Sequence, residues 1–318
     1  MESRTAMALR LHIPSEFKDL LRIGTCSWKY ESWKGLVYDQ GKRYRADDYL
    51  ADYARCFDSV EVDLWFWSLF PGAVRLPETR TVRLYEKGVP AGFSFSVKAP
   101  NALTLTHFYA KQPPGSAAVA GQPNPHFLDH GLFREFVDRL SPLGGKLGPV
   151  MFQFEYLNRQ KMASKEVFFE RFGEFVEAAP KGVRYAVEIR NPNYYSPAFF
   201  DFLEKRGLGF VYIDGYYMPP IGQVFETFKP LTADFQVIRL HGGDRLEIEG
   251  ETGEVWDKVV APKPEGLESA ARIVRANAKG RVLTYLNLNN HYEGSAPLTA
   301  GRFLEVLAGG KAGEEEPS

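Results

Sequence analysis

The stretch Tyr185-Ala186-Val187-Glu188-Ile189-Arg190 sets two charged side chains between aliphatic ones with a period of two. Extended backbone sends successive side chains to opposite faces, so Glu188 and Arg190 share a face with Ala186, against Tyr185, Val187 and Ile189. Working outward, residues 59–63 set Glu61 and Asp63 against Val60 and Val62, and residues 93–98 set Ser94, Ser96 and Lys98 against Phe93, Phe95 and Val97. Gln153 stands between Phe152 and Phe154 in residues 150–154, and residues 209–214 end on Asp214 after Ile213. Residues 236–241 oppose Arg239 and His241 to Ile238 and Leu240; residues 282–287 lead through Tyr285 and Asn287 to Asn289; residues 22–26 complete a set of eight.

Between these stretches, residues 47–56, 132–140, 166–178, 197–206, 266–278 and 297–308 carry apolar residues at helical spacing. Strands alternating with helices predict βαβ units around a parallel sheet. Eight such units predict a single-domain α/β fold, a (β/α)8 TIM-type barrel, with a doubly wound open sheet as the competitor. Residues 1–21 read as an N-terminal extension, 22–308 as the barrel, and 309–318, ending in Glu-Glu-Glu-Pro-Ser, as a disordered tail. Residues 111–125, rich in Pro, Gly and Ala, read as a mobile insertion, with a lid as the alternative.

The bulk composition narrows the classes. With 318 residues, 44% hydrophobic and 25% charged, the chain can bury a large core. A formal net charge of -1 supplies no bulk field for a polyanion, so nucleic acid is the less favoured partner. Cys26 and Cys56 lack the close pairing of a zinc or redox motif and read as buried thiols. No run has the length of a membrane span and no secretory signal opens the chain, so no membrane partner is expected and the cytoplasm is the expected location.

Ordered blocks of sequence then become recognisable. They are Gly-Thr-Cys-Ser-Trp-Lys-Tyr-Glu-Ser-Trp at 24–33, Phe-Asp-Ser-Val-Glu-Val-Asp at 57–63, Phe-Ser-Phe-Ser-Val-Lys-Ala-Pro at 93–100 with Thr106-His107, and Lys-Leu-Gly-Pro-Val-Met-Phe-Gln-Phe at 146–154. Ala-Val-Glu-Ile-Arg at 186–190, Arg-Leu-His-Gly at 239–242 and Asn-Asn-His-Tyr-Glu-Gly-Ser-Ala-Pro at 289–297 follow. Together they resemble the domain of unknown function 72 family, also called YecE-like. The resemblance implies a TIM-type barrel and carries no established reaction. Where that family usually reads Glu-Ile-Asn, this chain has Glu61-Val62-Asp63, an acid in place of an amide.

Function must then be argued from the predicted rim, because a fold does not fix a chemistry. Barrel enzymes react at the carboxyl ends of their strands. Arg190 and Arg239 offer planar forks for a carboxylate or phosphate, and with Lys98 they are expected to hold a small anionic molecule. Glu188, Asp214, His241 and Glu61 are the expected catalytic, proton-carrying residues. His107, Gln153, Asn287, Asn289, Asn290 and Trp28 are expected substrate contacts, and His241-Gly242-Gly243 a turn open to a phosphate. Trp28, Tyr30, Trp33, Trp65, Trp67, Tyr194, Tyr195, Tyr216 and Tyr217 crowd the same rim, either to stack a ligand or to pack loops.

Alternatives bear on the same residues. A lattice of ion pairs serving stability alone weighs less, since apolar layers would serve as well. His107, His241, Glu61, Asp63, Glu188 and Asp214 offer a mixed ligand set, but no compact motif supports a metal and nearby cations oppose one. No metal ligand is assigned, and the cofactor is left unknown, with a divalent metal the minor alternative. Glycoside hydrolysis is demoted because the seventh strand ends in Arg239 and His241 rather than a carboxylate. The expected function is an enzyme using acid/base chemistry on a small anion. A metal-dependent nucleic-acid-processing protein of xylose isomerase-like type and a non-catalytic binder or scaffold are its rivals.

Overall fold

Runs such as Val-Met-Phe-Gln-Phe and Phe-Val-Tyr-Ile combine β-branched and aromatic side chains, which suit strands buried on both faces. In the computed structural model, which describes residues 9–45, 48–109, 116–243 and 245–309, these runs are strands of one sheet. The strands are β1 (Leu21–Thr25), β2 (Ser59–Val62), β3 (Leu69–Phe70), β4 (Ala73–Val74), β5 (Ser94–Lys98), β6 (Leu147–Phe154), β7 (Tyr185–Ile189), β8 (Gly209–Gly215), β9 (Phe235–Gly242) and β10 (Leu283–Leu288). β3 and β4 form a short antiparallel ribbon. The other eight are hydrogen-bonded in the order β1-β10-β9-β8-β7-β6-β5-β2, with every pairing parallel.

The two ends of that order meet. Cys26, just past β1, forms a parallel bridge with Glu61 of β2, and the Ser27 N–H donates to the Glu61 carbonyl at 3.0 Å. The sheet therefore closes into a barrel, and the open doubly wound alternative is set aside. Helices cover the outside. Asp129 caps His130–Leu140 by accepting from the Leu132 N–H, Ser164 caps Lys165–Glu177 in the same way, and Pro197–Glu204 and Pro264–Lys279 carry proline in the first turn. Thr79–Lys87, Ile221–Phe228 and Arg245–Thr252 are further helices that the apolar spacing did not reveal.

Two separate cores follow from the period of two. Between sheet and helices lies a large apolar layer that includes Phe95, Phe152, Phe154, Val187, Ile189, Phe210, Ile238 and Leu286. Inside the barrel, at the amino end, Met151, Ala186, Val211, Phe235, Val237 and Tyr285 form a smaller plug. Continuing the parity of that plug toward the carboxyl end brings Gln153, Glu188, Arg239 and Asn287 to the inner face. One strand departs from expectation. Because Val211 points inward, Ile213 does too, and Asp214 falls on the outer parity with Phe210 and Tyr212.

The insertion after β5 is anchored at its neck. The Asn124 amide donates to the carbonyls of Ala102 at 2.8 Å and Leu105 at 2.6 Å, and His107 bridges Pro123. Residues 111–115, the first third of the expected lid, and 310–318 of the expected tail lie outside the described residues. Among the described residues no helix is long and apolar enough to cross a membrane.

Candidate functional site

Arg239, 1% exposed, stands at the centre of the barrel. Its Nε and Nη2 each donate to Glu61, both at 2.7 Å, and its Nη1 donates to Glu188 and, at 3.2 Å, to Gln153 Oε1. These residues come from β9, β2, β7 and β6, so the network ties four strands together. Lys98 adds a second cation to Glu61 at 3.3 Å, and Arg190 Nε donates to the free oxygen of Glu188 at 3.0 Å. Burial pushes the Glu61 carboxyl up, but the Arg239 and Lys98 charges outweigh it and hold it down at about 2. Glu188 is likewise held low, by Arg239, Arg190 and Lys98 against the cost of burial.

Above this floor opens a cavity of about 270 Å³ at the carboxyl ends of the strands. Lys98, Gln153, Arg190, His241 and Asn289 line it, as does Asp63. Arg190 lies over the Tyr216 ring, 3.9 Å from its centroid, and among the described residues its two terminal nitrogens have no partner. Burial raises the Asp63 carboxyl against the pull of Lys98, with Glu61 raising it further. Asp63 is thus the wall carboxyl most ready to carry a proton.

The protonation of His241 follows from its neighbours. Asn289 Oδ1 accepts the backbone N–H of His291 at 2.9 Å, which fixes which end of the amide is oxygen. Asn289 Nδ2 therefore faces His241 Nε2 at 3.3 Å and donates to it. His241 is the neutral tautomer with its proton on Nδ1. Burial and the charges of Arg239, Lys98 and Arg190 push it well below the ordinary imidazole value, in accord with that assignment.

Several expected residues lie elsewhere. Asp214 accepts from the Tyr292 hydroxyl at 2.7 Å and lines a different, larger cavity of about 560 Å³ outside the barrel, beside Lys263 and Gly266. That corrects its expected place at the mouth. The reason is that residues 210–213 are apolar on both faces and leave the strand's parity open. Trp28 is buried edge-on to Tyr85, with ring centroids 5.1 Å apart, so it packs a loop instead of meeting a ligand. Asn290 is buried and accepts the Ala296 N–H at 2.9 Å, bracing a turn. His107 bonds the neighbouring Thr106 hydroxyl at 2.9 Å, outside the cavity lining. Asn287 is buried inside the barrel beside Arg239 in the ladder, and its amide has no partner among the described residues.

Of the rim aromatics, Trp33, Trp65 and Tyr194 are buried in the packing, whereas Tyr30, Trp67 and Tyr216 line the cavity. Arg245 and His291 also line it and were not singled out from the sequence. No pattern flags Arg245; His291 sits in the Asn289-Asn290-His291 block and reads there as part of a turn. Among the described residues, no group of three or more His, Cys, Asp or Glu is placed to hold a metal ion.

Comparison with known proteins places this geometry. The family model described as "Protein of unknown function DUF72" matches residues 22–318. A crystal structure of a DUF72 family protein from Thermotoga maritima is similar with a TM-score of 0.62 at 23% identity, over 91% of this chain and 99% of that one. A DUF72 family protein from Enterococcus faecalis is similar with a TM-score of 0.62 at 17% identity, over 94% of this chain and 100% of that one. At such identities the likeness speaks for the fold alone. No curated protein matches the chain. The blocks read from the sequence, the closed barrel and the match over residues 22–318 agree, and the chain belongs to the DUF72 family of proteins of unknown function.

Proposed function

We propose that the barrel mouth binds a small organic anion and moves a proton on it. The observation that carries this reading is the Arg190 fork. Among the described residues its terminal nitrogens have no partner, Arg190 lines the cavity, and the carboxylates beneath are already engaged by Arg239. Three buried or half-buried cations, Arg239, Lys98 and Arg190, meet Glu61, Glu188 and the cavity-lining Asp63, so one positive charge is left for a ligand whenever Asp63 is protonated. Lys98 and Arg190 hold the anion, Asp63 carries the proton, and the neutral His241 offers a hydrogen bond beside it.

Glu61 and Glu188, first choices from the sequence, serve this reading as counter-charges that fix Arg239, because low carboxyl values suit a permanent anion and not a proton carrier. The test is ligand-induced thermal stabilisation across small carboxylates and phosphates. The wild type is expected to be stabilised by at least one of them, and Arg190→Met and Lys98→Met to lose that response while folding normally. Stabilisation that survives in both variants would overturn the reading.

A further inference from the structure

The turn after β8 holds three consecutive residues in left-handed backbone: Gly215 at φ 136°, Tyr216 at 53° and Tyr217 at 61°. Glycine adopts such angles freely, whereas two successive tyrosines there store strain. The surroundings enforce it. The β8–β9 ladder slips register between Asp214 and Gly215, and Gly215 is pressed against the Gly242 backbone so closely that a Cβ would drive into its carbonyl. The Tyr216 N–H then donates to the Gly242 carbonyl at 3.3 Å.

What the strain achieves is visible in the two rings. Tyr217 is 97% exposed, so folding gains nothing from its side chain. Tyr216 is turned inward, its ring under the Arg190 guanidinium at 3.9 Å and against His241 at 4.6 Å, its hydroxyl 3.5 Å from His241 Nε2. Held over the Tyr216 ring and tied at Nε by Glu188, the Arg190 fork is fixed in place, and among the described residues both terminal nitrogens have no partner. A fixed planar fork matches a planar two-oxygen group. With Asp63 protonated, the one uncompensated positive charge of the network matches a single negative one.

We propose that the strained turn makes Tyr216 a positioning residue that presents Arg190 to a planar monoanion, so that the ligand is a carboxylate and not a phosphate dianion. This rests on the anion-binding reading above and adds the ligand's class and the element that selects it.

The test uses the full chain, with pyruvate and inorganic phosphate as probes, and affinities from ligand-observed NMR at neutral pH. Wild type is expected to bind pyruvate more tightly than phosphate. Tyr216→Leu, which loses the stack, is expected to weaken pyruvate about tenfold, and Tyr216→Phe, which keeps it, to bind within about twofold of wild type. Tyr217→Gly relaxes the turn without touching the Tyr216 ring and is expected to raise the Tm while weakening pyruvate about threefold. Tighter phosphate than pyruvate, or wild-type affinity in Tyr216→Leu, overturns the inference. Should Arg190→Met abolish pyruvate binding while Tyr216→Leu retains it, this inference alone falls. If wild type binds neither probe and no other small anion, the anion reading itself falls.

Discussion

At the scale of the residue, Arg239 decides most. Its guanidinium satisfies two carboxylates, each at most 1% exposed in its side chain, so removing it leaves Glu61 with Lys98 alone and Glu188 with Arg190 alone. Arg239→Met is expected to destabilise the protein by about 3–5 kcal/mol in denaturant unfolding. Adding Glu61→Gln and Glu188→Gln should recover part of that loss, since the penalty comes from buried carboxylates that have lost hydrogen bonds and one of their two cations; no recovery would argue that the arginine acts by packing. The same network sets the acid limit. Glu61 has its folded value at about 2, below the ordinary 4.5, so its ionised form stabilises the fold. That contribution is full above pH 4.5 and is lost as pH falls through about 2. Circular dichroism between these values is expected to show stability falling with acid, with a shallower slope in Glu61→Gln. Much of this was readable in advance. Glu61, Gln153, Glu188 and Arg239 each lie between apolar neighbours, and alternation assigns them a face, with Arg190 two positions on from Glu188. Asp214 was not readable, because Phe210, Val211, Tyr212 and Ile213 offer no polar partner to mark the inner side.

At the scale of the element, the loop between β2 and β5 seats Phe66 and Trp67 over the cavity, and one amide holds it there. Asn101 Oδ1 accepts from the backbone N–H groups of Ser68 and Leu69, both at 2.9 Å, and from the Ser68 hydroxyl at 3.1 Å, while its own N–H donates to the Phe66 carbonyl at 2.7 Å. Asn101→Ala takes the acceptor from three buried donors and is expected to cost about 2–4 kcal/mol. Trp67 fluorescence provides a local readout, and an unchanged emission spectrum alongside unchanged stability would show that the amide is not the anchor. Elements of this kind are hard to read from sequence. The eight barrel strands announce themselves through periodicity, whereas Asn101 reads as an ordinary residue after Ala99-Pro100, and its partners lie more than thirty positions away. The short helices Ile221–Phe228 and Arg245–Thr252, eight residues each, are likewise too brief to show a full amphipathic repeat.

At the scale of the whole molecule, a formal charge of -1 gives no long-range attraction for anions, so any selectivity must arise from charges inside the barrel. Asp63 then becomes the variable in the balance. Protonated, it leaves the network one charge positive; ionised, it cancels that charge and faces any bound anion with another negative group. Its carboxyl is raised by burial and by Glu61 against the pull of Lys98 and Arg239. A bound carboxylate would raise it again, so by linkage binding takes up a proton. Affinity for pyruvate is therefore expected to be highest below the raised Asp63 value and to fall as pH rises through it. Calorimetry in buffers of different ionisation enthalpy should register proton uptake in the same range. Asp63→Asn, which puts an amide at this position, is expected to bind pyruvate at least as tightly at neutral pH, with the slope removed. An Asp63→Asn variant that keeps the wild-type slope would move the titrating group elsewhere and leave the charge balance of the mouth wrongly assigned.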